Sequence, residues 1–67
     1  MSRAMLSYTK EVLRKVSFDI RLFCREIKKA VNRLLPHELE DLRDFVSHLS
    51  KKKPQLERGL LYIPRSA

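Results

Sequence analysis

The 67-residue sequence has little of what very small proteins use to hold themselves together covalently. Its single cysteine, Cys24, excludes an intramolecular disulfide, and no Cys/His pair has the spacing of a zinc site. We therefore expect no bound metal and no cofactor. A lone thiol without a signal-peptide pattern is typical of a reducing compartment, so we predict a cytoplasmic location.

Long apolar runs are also missing from the sequence. No stretch approaches the roughly 18 apolar residues of a membrane span, so we expect a soluble protein. A chain this short forms one domain at most, and a single core of that size supplies only about 3–5 kcal/mol of stability. Self-association or a partner subunit would compensate for the small core.

Acidic residues are outnumbered by basic ones. Fifteen Lys and Arg against eight Asp and Glu give a net charge of +7, which favours acidic partners. Such partners include nucleic acid, anionic lipid and acidic protein surfaces, and charge alone does not choose among them.

What the sequence does have is helical periodicity. Apolar residues at spacings of three and four predict amphipathic helices at about residues 3 to 16, 19 to 35 and 36 to 51. Asp19 is the expected N-cap of the second helix, and Pro36 suits the first turn of the third. The sequence therefore predicts an all-α fold, a small three-helix bundle formed by residues 1–53.

The periodicity is lost after Pro54, and residues 54–67 are expected to form a partly ordered C-terminal tail. Chain termini are poorly ordered unless something ties them down. Two interpretations stay open for the apolar part of this tail: a mobile end, or docking on its own helices or a neighbouring subunit.

The chain resembles a group of short uncharacterised bacterial helical proteins over about residues 8 to 49. The shared pattern is Lys15-Val16-Ser17-Phe18-Asp19, Leu22-Phe23, Glu26, Lys29-Ala30, Leu34, Pro36 and Glu38-Leu39. These are largely capping and core positions. The resemblance implies a compact helical protein and carries no known activity and no functional residue.

Basic residues line the polar side of the predicted second helix, and a lysine run follows the third. The candidate phosphate-binding residues are Arg21, Arg25, Lys28, Lys29, Arg33, Lys51, Lys52 and Lys53. One interpretation is a solvated face that keeps the protein soluble; the other is a surface that contacts phosphates. Base reading by the third helix is not expected, because its first turns are acidic.

A second set of residues suggests contact with protein. Leu22 lies on the polar side of its predicted helix, and the tail contains an apolar run. The candidate protein-contact residues are Leu22, Leu60, Leu61, Tyr62 and Ile63. Helix one has a basic polar face that would also suit an anionic membrane, but the same pattern describes any core-facing helix, so membrane association is not expected.

No residue pattern indicates catalysis. Cys24 lies among the apolar, core-facing positions of the predicted second helix. His37 and His48 have no third residue spaced to share a metal ion with them. Three short helices leave little room for a substrate pocket. We expect no catalytic residues, no small-molecule substrate and no enzyme activity. The leading hypothesis is a protein-interaction or self-assembly module. The alternative is a small nucleic-acid-binding accessory protein that contacts the phosphate backbone without base specificity.

Overall fold

The computed structural model describes residues 2–64, with side chains from residue 4 onward, and this part of the chain is all-helical and contains no strand. Helix α1 spans Ser2–Lys15, α2 spans Ile20–Val31, and α3 spans Pro36–Lys52. A 3-10 helix, Pro54–Tyr62, follows α3 directly. The all-α prediction is confirmed.

Short polar contacts fix where the helices begin. The backbone N–H groups of Arg21 and Leu22 donate to Asp19 Oδ1 at 2.9 and 3.4 Å, so Asp19 caps α2 as predicted. Pro36 is the first residue of α3. The buried Glu38 carboxylate reaches back and accepts from the Leu35 N–H at 2.8 Å, which satisfies one of the N–H groups that a helix start leaves unpaired.

Helix α2 is shorter than the sequence predicted, since it ends at Val31 instead of residue 35. Pro36 disfavours helical geometry at Leu35, whose backbone is extended with ψ 158°. The chain leaves the helix through a turn in which Arg33 and Leu34 both donate to the Ala30 carbonyl at 2.9 Å. Leu34 is buried by this turn and still contributes to the core.

The prediction of three helices and a tail was wrong in its count, because residues 54–62 form the 3-10 helix. Side chains three residues apart in a 3-10 helix share a face, so Leu56 and Gly59 point together at the core. Apolar spacing of 3.6 residues does not detect that period. Ile63, the next residue after this helix, is also buried.

Gly59 lets the 3-10 helix approach α2 closely. A Cβ atom at this position would lie 2.5 Å from Ile27 Cδ1 and 3.0 Å from Phe23 Cε2. Both of those side chains are fully buried and have little room to move. The glycine therefore allows a contact that any larger residue would obstruct.

One core joins all four helices. Its buried apolar residues are Leu6, Leu13, Phe23, Ile27, Ala30, Leu34, Leu42, Val46, Leu56 and Ile63. Helix α2 packs mainly against α1 on one side and the 3-10 helix on the other, and α3 packs against the same two elements. Helices α2 and α3 thus lie diagonally across the core, and the outer side of α2 faces solvent between its two neighbours.

Candidate functional site

Five basic residues lie on the outer side of α2 and on the turn that follows it, and we call them the cationic face: Arg21, Arg25, Lys28, Lys29 and Arg33. All five are exposed. The four on the helix point outward because Phe23, Ile27 and Ala30 fix the opposite side of α2 in the core. Lys29 Nζ lies 3.5 Å from Glu26 Oε2 on the same helix, an exposed contact that holds the lysine weakly.

On one flank, the cationic face meets the 3-10 helix. Lys28 Nζ lies over the Tyr62 ring, 4.6 Å from its centroid, and Tyr62 is 40% exposed. A cation over an aromatic face at this distance is attracted to it, which holds the ring and the ammonium side by side. The cationic face therefore ends at a partly exposed aromatic ring.

On the other flank, a groove of about 130 Å³ separates α2 from α1. Lys29 and Arg33 line its α2 side, and Tyr8 lines its α1 side. Tyr8 is 63% exposed. A second exposed aromatic ring thus borders the cationic face. The sequence did not single out Tyr8 and assigned Tyr62 to the candidate protein-contact residues, because the position of each ring beside α2 depends on tertiary packing.

The lysine run at the end of α3 is exposed, as is the cationic face. Lys53 Nζ donates to Ser17 Oγ at 3.2 Å, which brings its ammonium to the connection just before α2. Lys53 therefore lies near the Arg21 end of the cationic face. No described contact ties Lys51 or Lys52 to α2, and their role in phosphate binding stays a prediction.

Three of the residues expected to contact protein, Leu60, Leu61 and Ile63, line one groove, while Leu22 and Tyr62 lie elsewhere. Ile63 is in the core, and its carbonyl accepts from Arg43 Nη1 at 3.4 Å. Leu60 is half-buried, whereas Leu61 is 82% exposed, and both line a groove of about 890 Å³ at the 3-10 helix.

Leu22 and Tyr62 lie apart from each other on the two flanks of α2. Leu22 is seven positions before Lys29, so it lies on the α1 side of α2. Tyr62 lies on the side of the 3-10 helix, over Lys28. The exposed members of the predicted contact set are thus divided between separate places.

The surroundings of Cys24 and of the metal-ligating residue types are also visible in the described part of the chain. Partial burial raises the pKa of the Cys24 thiol above its ordinary value, and the nearby charges of Lys28 and Arg58 only partly oppose that shift. A thiol of this kind is a poor nucleophile at neutral pH. No three His, Cys, Asp or Glu side chains among the described residues are placed to share a metal ion.

Within residues 2–64, no helix combines the length and the apolar composition needed to cross a membrane. Comparisons of the chain with protein families, curated proteins and solved structures find no match. The resemblance to short bacterial helical proteins therefore stays a prediction, and the function has to be argued from the geometry of the surface.

Proposed function

We propose that this protein binds the sugar-phosphate backbone of nucleic acid through the cationic face of α2. The observation that carries the proposal is that five exposed cations lie together, four on the solvent side of α2 and Arg33 in the turn that follows it, with α1 and the 3-10 helix on either side. Neutralising phosphates with Lys and Arg releases condensed counterions, and this release drives binding that does not depend on sequence.

The shape of the cationic face favours contact with the backbone over base reading. A convex row of long side chains reaches phosphates, whereas sequence reading needs side chains inserted at base edges. Arg21, Arg25 and Arg33 provide planar guanidinium groups that match phosphate oxygens in pairs. We therefore propose binding with little base specificity and without a cofactor or a catalytic step.

The distribution of charge favours one side of the protein as the side that faces nucleic acid. The exposed carboxylates of Glu40, Asp41 and Asp44 belong to α3, which lies diagonally across the core from α2. These carboxylates make the first half of α3 a less favourable place for a phosphate backbone than the cationic face. The free thiol of Cys24 suits the reducing cytoplasm, and we propose that location.

The test is to map the contact surface in solution. The protein is labelled with ¹⁵N and titrated with a mixed-sequence single-stranded oligonucleotide at low salt while amide resonances are followed. Shifts are expected to cluster in residues 21–33 and to spare the first half of α3. Unchanged spectra at saturating oligonucleotide, or shifts centred on Glu40 to Asp44, would refute backbone binding by α2.

Protein contact remains a second candidate, favoured by one observation. Leu61 is 82% exposed beside the groove that Ile20 and Leu60 also line, and a large apolar side chain of that kind gains by being covered. The occupant we propose is a second copy of this chain, which would compensate for a small core.

Sedimentation analysis tests self-association. The wild-type protein is expected to form dimers as its concentration rises, and Leu61→Ser is expected to weaken that dimer because it removes the exposed apolar contact. A wild-type protein that stays monomeric at every accessible concentration rules this function out and leaves the nucleic-acid proposal untouched.

A further inference from the structure

We infer that the nucleic acid bound by the cationic face is single-stranded, and that its unpaired bases stack on the exposed rings of Tyr8 and Tyr62. This inference rests on the proposed function, since it assigns the ligand class of the same surface. It goes further because phosphate contact alone does not distinguish a duplex from a single strand.

The positions of the two rings carry the inference. Tyr62 lies beside Lys28 on one flank of α2, and Tyr8 borders the groove lined by Lys29 and Arg33 on the other. Lys28 and Lys29 are neighbours in sequence, so both rings flank the same part of the helix. A strand crossing α2 at this point meets a ring, several cations and a second ring in that order.

Aromatic rings next to cations are what proteins use to hold unpaired bases. Every base has a flat face that stacks on a tyrosine, while the adjacent cation holds the phosphate of the same nucleotide. In a duplex those faces are already stacked on neighbouring bases, so an exposed ring gains little from it. The arrangement at α2 therefore favours a single strand, of either DNA or RNA.

The burial of the two tyrosines supports this role. A ring used only for the core would be covered, yet Tyr8 is 63% exposed and Tyr62 is 40% exposed. The Lys28 contact holds Tyr62 in place in the absence of a ligand, which reduces the entropy lost when a base stacks on it. Because Lys28 covers one face of the Tyr62 ring, a base would stack on the opposite face.

The binding experiment compares leucine and phenylalanine at each position. Tyr8→Leu and Tyr62→Leu remove the ring but keep an apolar side chain, and Tyr8→Phe and Tyr62→Phe keep the ring as matched controls. Each leucine variant is expected to bind a 12-nucleotide single strand about 5- to 100-fold more weakly at constant salt, and the phenylalanine variants are expected to bind like wild type. Single-stranded DNA, RNA of the same sequence and the matching duplex are tested side by side.

Intrinsic fluorescence gives a second measurement that does not depend on how well the leucine variants fold. The chain has no tryptophan and only two tyrosines, so its emission reports on these two rings alone. Stacking on a base quenches tyrosine emission. Tyr8→Phe leaves only the emission of Tyr62, and Tyr62→Phe leaves only that of Tyr8. Quenching of both by a single strand, and of neither by a blunt duplex, is the expected result.

The possible outcomes distinguish base stacking on the tyrosines from backbone binding by the cationic face. Equal, salt-dependent binding of duplex and single strand, without quenching, overturns the stacking inference and leaves backbone binding in place. Phenylalanine variants that lose as much affinity as the leucine variants also overturn it, because the ring is then not what matters. Absence of salt-dependent binding to any of the three ligands refutes the proposed function itself.

Discussion

Leu56→Ala should lower the free energy of unfolding by about 2–5 kcal/mol, because Leu56 is fully buried and its removal leaves a cavity between the 3-10 helix and the rest of the core. A domain of this size has only about 3–5 kcal/mol of stability in total. The substitution is therefore expected to leave a large part of the protein unfolded at room temperature. Urea unfolding followed by circular dichroism measures the effect.

Leu61→Ala is the matched control for that experiment. It makes the same substitution in the same helix, but Leu61 is 82% exposed, so at a protein concentration where the wild type is monomeric we expect a change within about 0.5 kcal/mol. Equal stabilities of the two variants would contradict the packing of the 3-10 helix on α2 and α3. The flank formed by Tyr62 would then also lose its support.

Neutralising three members of the cationic face should have the largest effect on binding. The variant Arg21→Gln/Arg25→Gln/Lys29→Gln removes three phosphate contacts and leaves the Lys28 contact with Tyr62 intact. We expect its affinity for a single-stranded oligonucleotide at about 50 mM salt to fall on the order of 100-fold. The variant neutralises fewer phosphates, so its binding releases fewer counterions. Fluorescence anisotropy with a labelled oligonucleotide measures this loss.

The matched control removes the same number of charges elsewhere. Lys10 and Arg14 lie over the Phe45 ring at 5.7 and 5.2 Å, on the side of α1 that faces α3. Together with Lys15 they form the variant Lys10→Gln/Arg14→Gln/Lys15→Gln. Its affinity is expected to fall only a few-fold, through the lower net charge. Equal losses in the two variants would mean that overall charge, and not the cationic face, determines binding.

Local chemistry explains why much of the fold could be predicted from the sequence. Asp19 caps α2 and Pro36 begins α3 because those residue types have strong preferences at helix starts, which hold regardless of tertiary contacts. The apolar spacing of α2 identified Phe23, Ile27 and Ala30, and their burial leaves the cationic face outside. The basic residues of α2 are exposed for that reason, and their contact with phosphate stays a prediction.

The 3-10 helix could not be predicted in the same way, because its stability depends on long-range packing. Only the positions of Ile27 and Phe23 show that a Cβ atom at Gly59 would collide with the core. The exposure of Tyr8 and Tyr62 has the same origin, since it depends on which neighbouring helices cover each ring. The grouping of rings and cations is therefore visible only in the folded chain.

The salt dependence of oligonucleotide binding tests the central claim most directly. With five phosphate contacts from the cationic face, the logarithm of the wild-type association constant should fall with the logarithm of salt concentration at a slope of roughly −3 to −4. The Arg21→Gln/Arg25→Gln/Lys29→Gln variant should lose roughly 2 units of that slope, and the α1 control variant should keep nearly all of it. A flat wild-type line, or identical slopes for all three proteins, would contradict the assignment of α2 as the binding surface.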